Sequence, residues 1–600
     1  MFYLGRRFVA ALWRAVRYRV ITMDTLVGMG TLAAYVYSSA ILFVELLGTF
    51  LVHNAQLFFE TTIIVIGFVL IGDYLVARSR SYTKRTLEKL LSLQVKHVKV
   101  IRDGREYETP VTNLIKGDLF RVLPGEKVAT DGIVREGSSA LDESVITGES
   151  LPVDKKPGDV VVGGTLNTSG VLLVEATKVG ADTMLSQIIE FVRLAQNSPA
   201  PVQRLADRIV QYFVPAVSVL AFVSFFVWMV VGNASLALVS FISVLVIACP
   251  CAMGLATPIA VTMGMGLSAQ SGILIRDAST IERLQKIKTV VFDKTGTITY
   301  GKPVVTGYAG DRELIPIAHA LENHSTHPLA RAILAYEKSE KSLPQVKTFK
   351  NMEGIGVEGE INGTVYFIIS LHHAKEEKKS IPSDIETITD QWAAQGSSIV
   401  CVGTAQTVRA AFAITDTIRP EAKTVVDSLH ARGYRTVLVT GDHRQAAHEI
   451  ARQAGINTVF AQVKPIEKAN IIKKIRHDTR QGVIMIGDGV NDAPALSTAD
   501  IGISFNHGTD VAIESADIVL VGGGLRKIEK AFFIASATLR TIRQNLAWAF
   551  GFNVVALPVA AGALYPIWGI VLNPAIDGAV MAFSSVAVVF NALRLRYLRI

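Results

Sequence analysis

TVVFDKTGT, residues 289–297, is a β-branched and aromatic run that ends on a carboxylate, a lysine and a glycine turn. Such a run suits a strand covered on both faces that closes on a polar loop. TVLVTGDHRQAA (436–447) and GVIMIGDGVNDAPAL (482–496) repeat the pattern, and each opens a helical sequence after its Gly and Asp residues. This is the grammar of a parallel α/β sheet, whose ligands collect at the carboxyl ends of its strands. The intervening ELIPIAHALENHSTHPLARAILAYE (313–337) is helical, and strand-like runs follow it around a Gly-rich turn. Residues 300–409 are therefore read as a domain inserted between two parts of the sheet domain, 270–299 and 410–535.

Outward from this block the chain turns apolar. Half of its 600 residues are hydrophobic, and runs near 24–46, 57–77, 209–231, 237–265, 545–565 and 569–590 are about long enough to cross a hydrocarbon core of ~30 Å. Arg6, Arg7, Arg14, Arg17 and Arg19 precede the first run, Arg78, Arg80, Lys84 and Arg85 follow the second, and Arg594, Arg596 and Arg599 follow the last. The loops 47–56, 232–236 and 566–568 carry no Lys or Arg. By the positive-inside rule both termini and both large polar segments lie in the cytoplasm. The formal charge of +8 then reads as topology and contact with anionic lipid, with nucleic-acid binding the weaker explanation.

Residues 80–200, exemplified by VKHVKVIRDGREYETPV (95–111), alternate β-branched residues with Gly and Pro turns and predict a small β-rich domain. Residues 1–20 predict an amphipathic helix on the membrane surface. The remaining segments, 21–79, 201–269 and 536–600, hold the spans in pairs. Three cysteines, Cys249, Cys251 and Cys401, exclude a disulfide framework.

Asp293, at a strand end beside Lys294 and loop amides, can attack a γ-phosphoryl group and hold it as an acyl phosphate. An Asp-Lys turn is often only a helix cap, but Thr440-Gly441-Asp442 and Gly487–Asp492 close on the same sheet edge. Mg²⁺ takes one or two carboxylates plus substrate phosphate, a role for Asp293 and Asp488. Lys468 can neutralise the transferring oxygens, and Thr440 can donate a hydrogen bond to them.

DKTGT at 293–297, TGES at 147–150, TGD at 440–442 and GDGVNDAPAL at 487–496, in this combination, resemble the P-type ATPases. The resemblance covers essentially the whole chain. It implies a polytopic α-helical membrane protein with three cytoplasmic domains: a β-rich actuator domain, a dehalogenase-like α/β phosphorylation domain and an inserted α+β nucleotide-binding domain. It further implies ATP and Mg²⁺ as cofactors, catalytic roles for Lys294, Thr295, Asp442, Asn491 and Asp492, Thr295 also at the Mg²⁺ site, and Glu149 as the residue that activates water against the aspartyl phosphate. The family's SEHP motif stands here as Ser325-Thr326-His327-Pro328, with Glu322 upstream and Gly354-Ile355-Gly356 downstream, so Glu322, His327, Gly354 and Gly356 are expected around ATP. Where the family commonly carries Gly-Asn, this chain has Ser370-Leu371.

The fourth run, VLVIACPCAMGLATPIA (244–260), places Cys249-Pro250-Cys251 at membrane depth. Proline removes one helical hydrogen bond, so the helix is expected to open where two sulfurs sit, and thiolates favour Cu(I) over Mg²⁺, Ca²⁺ or Na⁺. A single membrane cysteine is ordinarily a small packer; two flanking a proline resemble the heavy-metal pumps. The copper branch carries Tyr-Asn in the fifth span and Met-x-x-Ser-Ser in the sixth. Here Phe552-Asn553 and Met581–Ser585 occupy those places, and the zinc branch's lysine and aspartate are absent from them. Cys249, Cys251, Asn553, Met581 and Ser585 are thus the expected ligands of transported Cu(I) or Ag(I), and Met23, Glu60 and Asp207 resemble the residues of the cytoplasmic mouth. A copper chaperone is a conceivable partner, and a bacterial cytoplasmic membrane the expected location. The family usually adds two spans and a Cys-x-x-Cys domain at the amino terminus, so the chain reads as an amino-terminally short member. A zinc or cadmium pump, a slow copper pump for cuproprotein assembly and a non-transporting phosphatase remain the alternatives.

Overall fold

The computed structural model describes the chain apart from residues 1–2, 19–21, 47–56, 61, 68, 72, 75–92, 103, 145–151, 198–200, 249–250, 326, 338–342, 353–354, 506–509, 523, 571, 573 and 599–600. Two compact units form, one from Met1–Gln285 with Ala531–Ile600, the other from Lys286–Lys530.

In the second unit six parallel strands, Ile287–Asp293, Arg435–Val439, Thr458–Phe460, Gly482–Ile486, Ile501–Phe505 and Ile518–Leu520, make one sheet. Numbered first to sixth along the chain, they lie in the order 6-5-4-1-2-3. The chain winds one way from the first strand and the other way from the fourth. The carboxyl ends of these two neighbours therefore flank the switch point at which an open α/β sheet leaves a crevice. The runs of Val, Ile and Leu that announced the strands are buried on both faces: Val291, Val437, Val439, Val483 and Met485 have no exposed surface, as a sheet covered by helices requires.

Strands Thr299–Gly310 and Thr407–Ile418 leave the sheet domain as an antiparallel pair and continue into a second sheet. Its remaining strands are Ser398–Thr404, Thr364–Ser370, Gly356–Ile361 and Val346–Met352, all antiparallel. Helices Leu314–Glu322 and Pro328–Ala335 supply Leu321 and Ile333 to a core shared with Val402 and Phe412. Cys401 is wholly buried here, and burial pushes its thiol up to about 12, so it packs and does not react.

In the first unit, residues 95–182 form the expected β-rich domain, an antiparallel sheet of six strands with a three-stranded companion. Phe120, Val134, Leu141, Leu172 and Val174 fill its core. Arg6–Tyr18 is a helix, with Phe8 and Ala11 buried and Trp13 and Val16 exposed. It lies close on the helix Met23–Leu46, where a Cβ on Gly28 would stand 2.8 Å from the Phe8 carbonyl oxygen.

Among the described residues three helices are long and apolar enough to cross a membrane: Asp24–Leu46, Gln211–Val230 and Ile576–Tyr597. The run expected at 237–265 is two helices, Ala234–Ile247 and Cys251–Gln270. The fifth run belongs to a continuous helix Arg526–Ala560, which stops short of residue 565. Its end is fixed by the neighbouring helix: Ser224 Oγ and Trp228 Nε1 both donate to the Ala561 carbonyl at 3.0 Å, and Gly562 turns the chain at φ +88° where a Cβ would meet the Trp228 ring. The sixth helix begins at Pro574 and ends at Leu593, shifted from the expected 569–590 because proline fits a first turn.

Candidate functional site

The first strand delivers Asp293 to the switch point, 5 % exposed. Its Oδ2 accepts the Thr295 backbone N–H at 2.9 Å, and its Oδ1 lies 2.7 Å from the Lys468 ammonium. Lys468 comes from the helix Pro465–Thr479 and reaches Asp492 Oδ1 at 2.7 Å as well. One buried ammonium is thus shared by two buried carboxylates, the arrangement in which each partner depends on the others. Burial, reinforced by the Asp492 charge and opposed by Lys468, pushes the Asp293 carboxyl up to about 7. Burial works against the Lys468 ammonium, yet the two carboxylates hold it above the usual lysine range.

Asp488 follows the fourth strand, and burial followed by the Asp492 charge pushes its carboxyl up to about 6. It stands over Gly296: a Cβ there would lie 1.8 Å from Asp488 Oδ2, and φ at Gly296 is +71°. Space and backbone conformation both demand glycine in the DKTG turn. Oxygens of Asp293, Asp488 and Asp492 come within 4.8 Å of one another. With one ammonium facing three carboxylates, the residues fit a divalent cation with hard oxygen preference. Asp293 and Asp492 share the Lys468 ammonium and each accepts one backbone N–H; Asp293 and Asp488 close the carboxyl ends of the two adjoining strands, which makes them the natural pair.

Lys294 turns to Asp442 as an ion pair. Thr440 is buried and its Oγ1 accepts the Asp442 N–H at 3.2 Å. Thr295 and Asn491 are exposed at the rim. The sequence reading missed Arg419. Only 7 % exposed, it donates from Nη2 to the Gly296 carbonyl at 3.1 Å and from Nε to the Thr299 carbonyl at 3.3 Å, bracing the turn that carries Asp293. Its only signal is an arginine before Pro420 at the end of an apolar strand.

In the inserted domain Glu322 is 7 % exposed at the end of its helix, and burial, opposed by a hydrogen bond from Ser325, pushes its carboxyl up to about 7. His327 is exposed and caps the helix Pro328–Ala335, its Nδ1 accepting the Leu329 N–H at 3.2 Å. Gly356, at φ +155°, leaves no room for a Cβ, which would stand 1.9 Å from the Ile368 carbonyl oxygen. Ser370, in place of the family's glycine, caps the helix Leu371–Glu376 by accepting the His373 N–H at 3.3 Å.

The helix Pro574–Leu593 packs against both halves of the divided fourth span. Met581 shares a cluster with Val239, Ile242 and Val246 of the first half, and Val588 meets Ala256 of the second half and Ala549 of the fifth helix. Asn553, Met581 and Ser585 are buried, and the Ser585 hydroxyl donates to the Met581 carbonyl at 3.3 Å. Phe552 stacks near Trp548 at 6.0 Å between ring centroids. Two asparagines join the three helices: Asn591 Nδ2 donates to Asn545 Oδ1 at 2.8 Å, and Asn545 Nδ2 to the Ala256 carbonyl at 3.3 Å. Glu149, Gly354, Cys249 and Pro250 lie outside the described residues; so do the side chains of Met23, Asp207 and Cys251.

Glu60 is exposed just ahead of the apolar helix Thr62–Ile71. Phe58 N–H donates to Ser38 Oγ at 2.7 Å and Thr62 Oγ1 to the Thr31 carbonyl at 3.3 Å. Glu60 therefore lies level with residues eight to fifteen beyond Met23 on the first span, roughly 12–22 Å along it at ~1.5 Å per residue.

Residues 287–500 match the haloacid dehalogenase-like hydrolases, and residues 92–193 the P-type ATPase actuator domain. The chain is 44% identical over 603 residues to a probable copper-transporting ATPase of Synechococcus elongatus, covering 99% of this chain and 80% of that one. A copper-exporting P-type ATPase of Staphylococcus aureus is 43% identical, covering 100% and 74%. The crystal structure of a zinc-transporting PIB-type ATPase in the E2.Pi state is similar with a TM-score of 0.62 at 28% identity, over 99% of this chain and 93% of that one. Identity of 43–44% over nearly the whole chain and 74–80% of these two relatives makes the chain a member of the P-type ATPase family.

Proposed function

We propose that the protein hydrolyses ATP to export copper(I) from the cytoplasm, with silver(I) accepted at the same sulfur site. The observation that carries this reading is Asp293, held by Lys468 and a backbone amide at the sheet's switch point, in a chain whose divided fourth span bears Cys249 and Cys251.

Asp293 attacks the γ-phosphorus in line; the bond to the β-γ bridging oxygen breaks, and ADP leaves with the electron pair. Lys468 neutralises the equatorial oxygens in a dry pocket, where a fixed positive charge is most effective. Asp293 and Asp488 would hold Mg²⁺, which supplies charge neutralisation on the phosphate. Thr295 lies on the turn beside them, Thr440 and Lys294 with Asp442 border the phosphate, and Glu149 in TGES activates the water that cleaves the acyl phosphate. Glu322, His327, Gly354 and Gly356 line the nucleotide pocket. Cys249, Cys251, Asn553, Met581 and Ser585 bind the ion, which enters past Met23 and Asp207 from the cytoplasm. Glu60, toward the outer half of its span in this orientation, belongs to the outward path and not to the cytoplasmic mouth.

A ligand shifts an equilibrium only by its differential affinity for two states, so the sulfur site weakens when Asp293 is phosphorylated. The test is acid-stable phosphoenzyme from labelled ATP in the presence of Cu(I), Ag(I), Zn(II) or Cd(II), with Asp293→Asn and Cys249→Ser as controls. Cu(I) and Ag(I) should support phosphorylation in the parent and neither control. A response to Zn(II) alone would overturn the choice of ion.

A further inference from the structure

Asp577 is the one carboxylate on the helix Pro574–Leu593, and nothing in the mechanism above uses it. It has no exposed surface, neither of its oxygens accepts a well-formed hydrogen bond, and the Ser243 hydroxyl lies within reach. An unpaired carboxyl at membrane depth is costly and marks an ion pathway by default. Its surroundings are polar as well as buried. The Ser243 hydroxyl lies beside it while donating to the Leu572 carbonyl at 3.2 Å. Ser240, on the same helix Ala234–Ile247, is also fully buried and its hydroxyl is unpartnered.

Position along the helices gives this cluster a meaning. Asp577 and Met581 are four residues apart and share a face, about 6 Å along the axis. Met581 already packs on Val239, Ile242 and Val246, and Asp577 on the same helix meets Ser243. Ser243 precedes Cys249 by six residues in the sequence. The polar cluster thus lies about one turn from Met581 on its helix and ahead of Cys249 in the sequence, on the side away from Arg594 and Arg596. With the cytoplasm on the arginine side, that is outward.

We propose that Asp577, with Ser243, forms a second cation station through which the transported ion passes after leaving the sulfurs. This rests on the reading of the chain as a copper(I) pump. A hard carboxylate is a poor match for a soft monovalent ion. It offsets the ion's charge at membrane depth without trapping it, as a release step requires. The carboxylate forms a Cu–O contact as the Cu–S contacts break, and no electron moves.

The experiment compares the parent with Asp577→Asn and Ser243→Ala in reconstituted vesicles, measuring Ag(I)- and Cu(I)-dependent phosphorylation of Asp293 and metal uptake. Because asparagine keeps the shape and removes the charge, half-maximal metal for phosphorylation should stay within about twofold while uptake falls about tenfold or more. The phosphoenzyme should accumulate, since release is delayed, and Ser243→Ala should move uptake the same way by less. Unchanged uptake in Asp577→Asn would overturn the proposal. So would a parallel fall of phosphorylation and uptake, which would assign the residue to loading or folding. A parent with no metal-dependent phosphoenzyme would defeat the pump reading first, and is distinguishable because it precedes any variant.

Discussion

Replacing Lys468 by Met tests the centre of the catalytic site. The ammonium is 8 % exposed and lies 2.7 Å from one oxygen of Asp293 and 2.7 Å from one of Asp492. At an effective dielectric of ~20 each contact is worth roughly 6 kcal/mol of gross Coulomb energy, most of it offset by desolvation. Breaking a buried pair from one side is the expensive operation, about 3–5 kcal/mol, because the carboxylates stay behind uncompensated. Two effects follow and can be separated. Stability of the unit Lys286–Lys530 should drop by about that amount, and a second change, Asp492→Asn, should restore much of it by removing one orphaned charge. Phosphorylation should not be restored, since the charge that met the transferring oxygens is gone; the loss of such a donor costs about 10²–10³-fold. Single-turnover phosphoenzyme formation from labelled ATP, with thermal unfolding of the same samples, reads both. Phosphorylation within threefold of the parent in Lys468→Met, or rescue of phosphorylation by Asp492→Asn in step with stability, would refute the assignment of Lys468 to the reaction.

Gly296→Ala should abolish Mg²⁺-dependent phosphorylation, because a methyl group would stand 1.8 Å from Asp488 Oδ2 at a φ of +71°; near-normal phosphoenzyme would show that the turn relaxes. For Glu322→Gln the sign is set by linkage. The buried carboxyl titrates at about 7 against an ordinary value of 4.5, so its favourable neutral form is fully present below the unfolded value and is lost as pH rises through 7. Glutamine should therefore leave stability unchanged near pH 4 and raise it above pH 7, by up to about 3 kcal/mol from the size of the shift; a pH-independent difference in unfolding temperature would contradict this. Asn545→Leu severs the link from Asn591 to the Ala256 carbonyl, and should cost about 1 kcal/mol, a typical figure for polar links between membrane helices. It should also uncouple ATP hydrolysis from uptake, and unaltered uptake per ATP would show the asparagines to be packing alone.

Much of the candidate site was legible because most of its groups sit at the ends of strand-like runs. Asp293, Asp488 and Thr440 follow apolar stretches whose carboxyl ends must share one edge of a parallel sheet. Lys468 was legible for a different reason, as a lysine in a helix leading into the strand that ends before Asp488. Arg419 was not, since its work is to hold the Gly296 and Thr299 carbonyls, a pairing across 123 residues with no local pattern. Nor did hydropathy alone place the end of the fifth helix. That end depends on Ser224 and Trp228 donating to one carbonyl 333 or more residues away in sequence. Ser370 shows a third kind of gap: read against a family motif it was a departure, whereas locally it is an ordinary helix cap.

The strand order explains why so few residues suffice. A sheet numbered 6-5-4-1-2-3 puts the first and fourth strands side by side, so Asp293 and Asp488 are neighbours although almost two hundred residues intervene. The inserted domain enters directly after Asp293, on strands Thr299–Gly310 and Thr407–Ile418, and Arg419 stands one residue past the second of them. Any movement of that two-stranded lead is thus passed to Arg419 and, through its bonds to Gly296 and Thr299, to the turn beneath Asp488. On the proposed function, a nucleotide on the inserted domain would in this way bias the geometry of Asp293. The coupling runs through two hydrogen bonds from separate nitrogens of one planar fork, a geometry that suits arginine better than the single ammonium of a lysine.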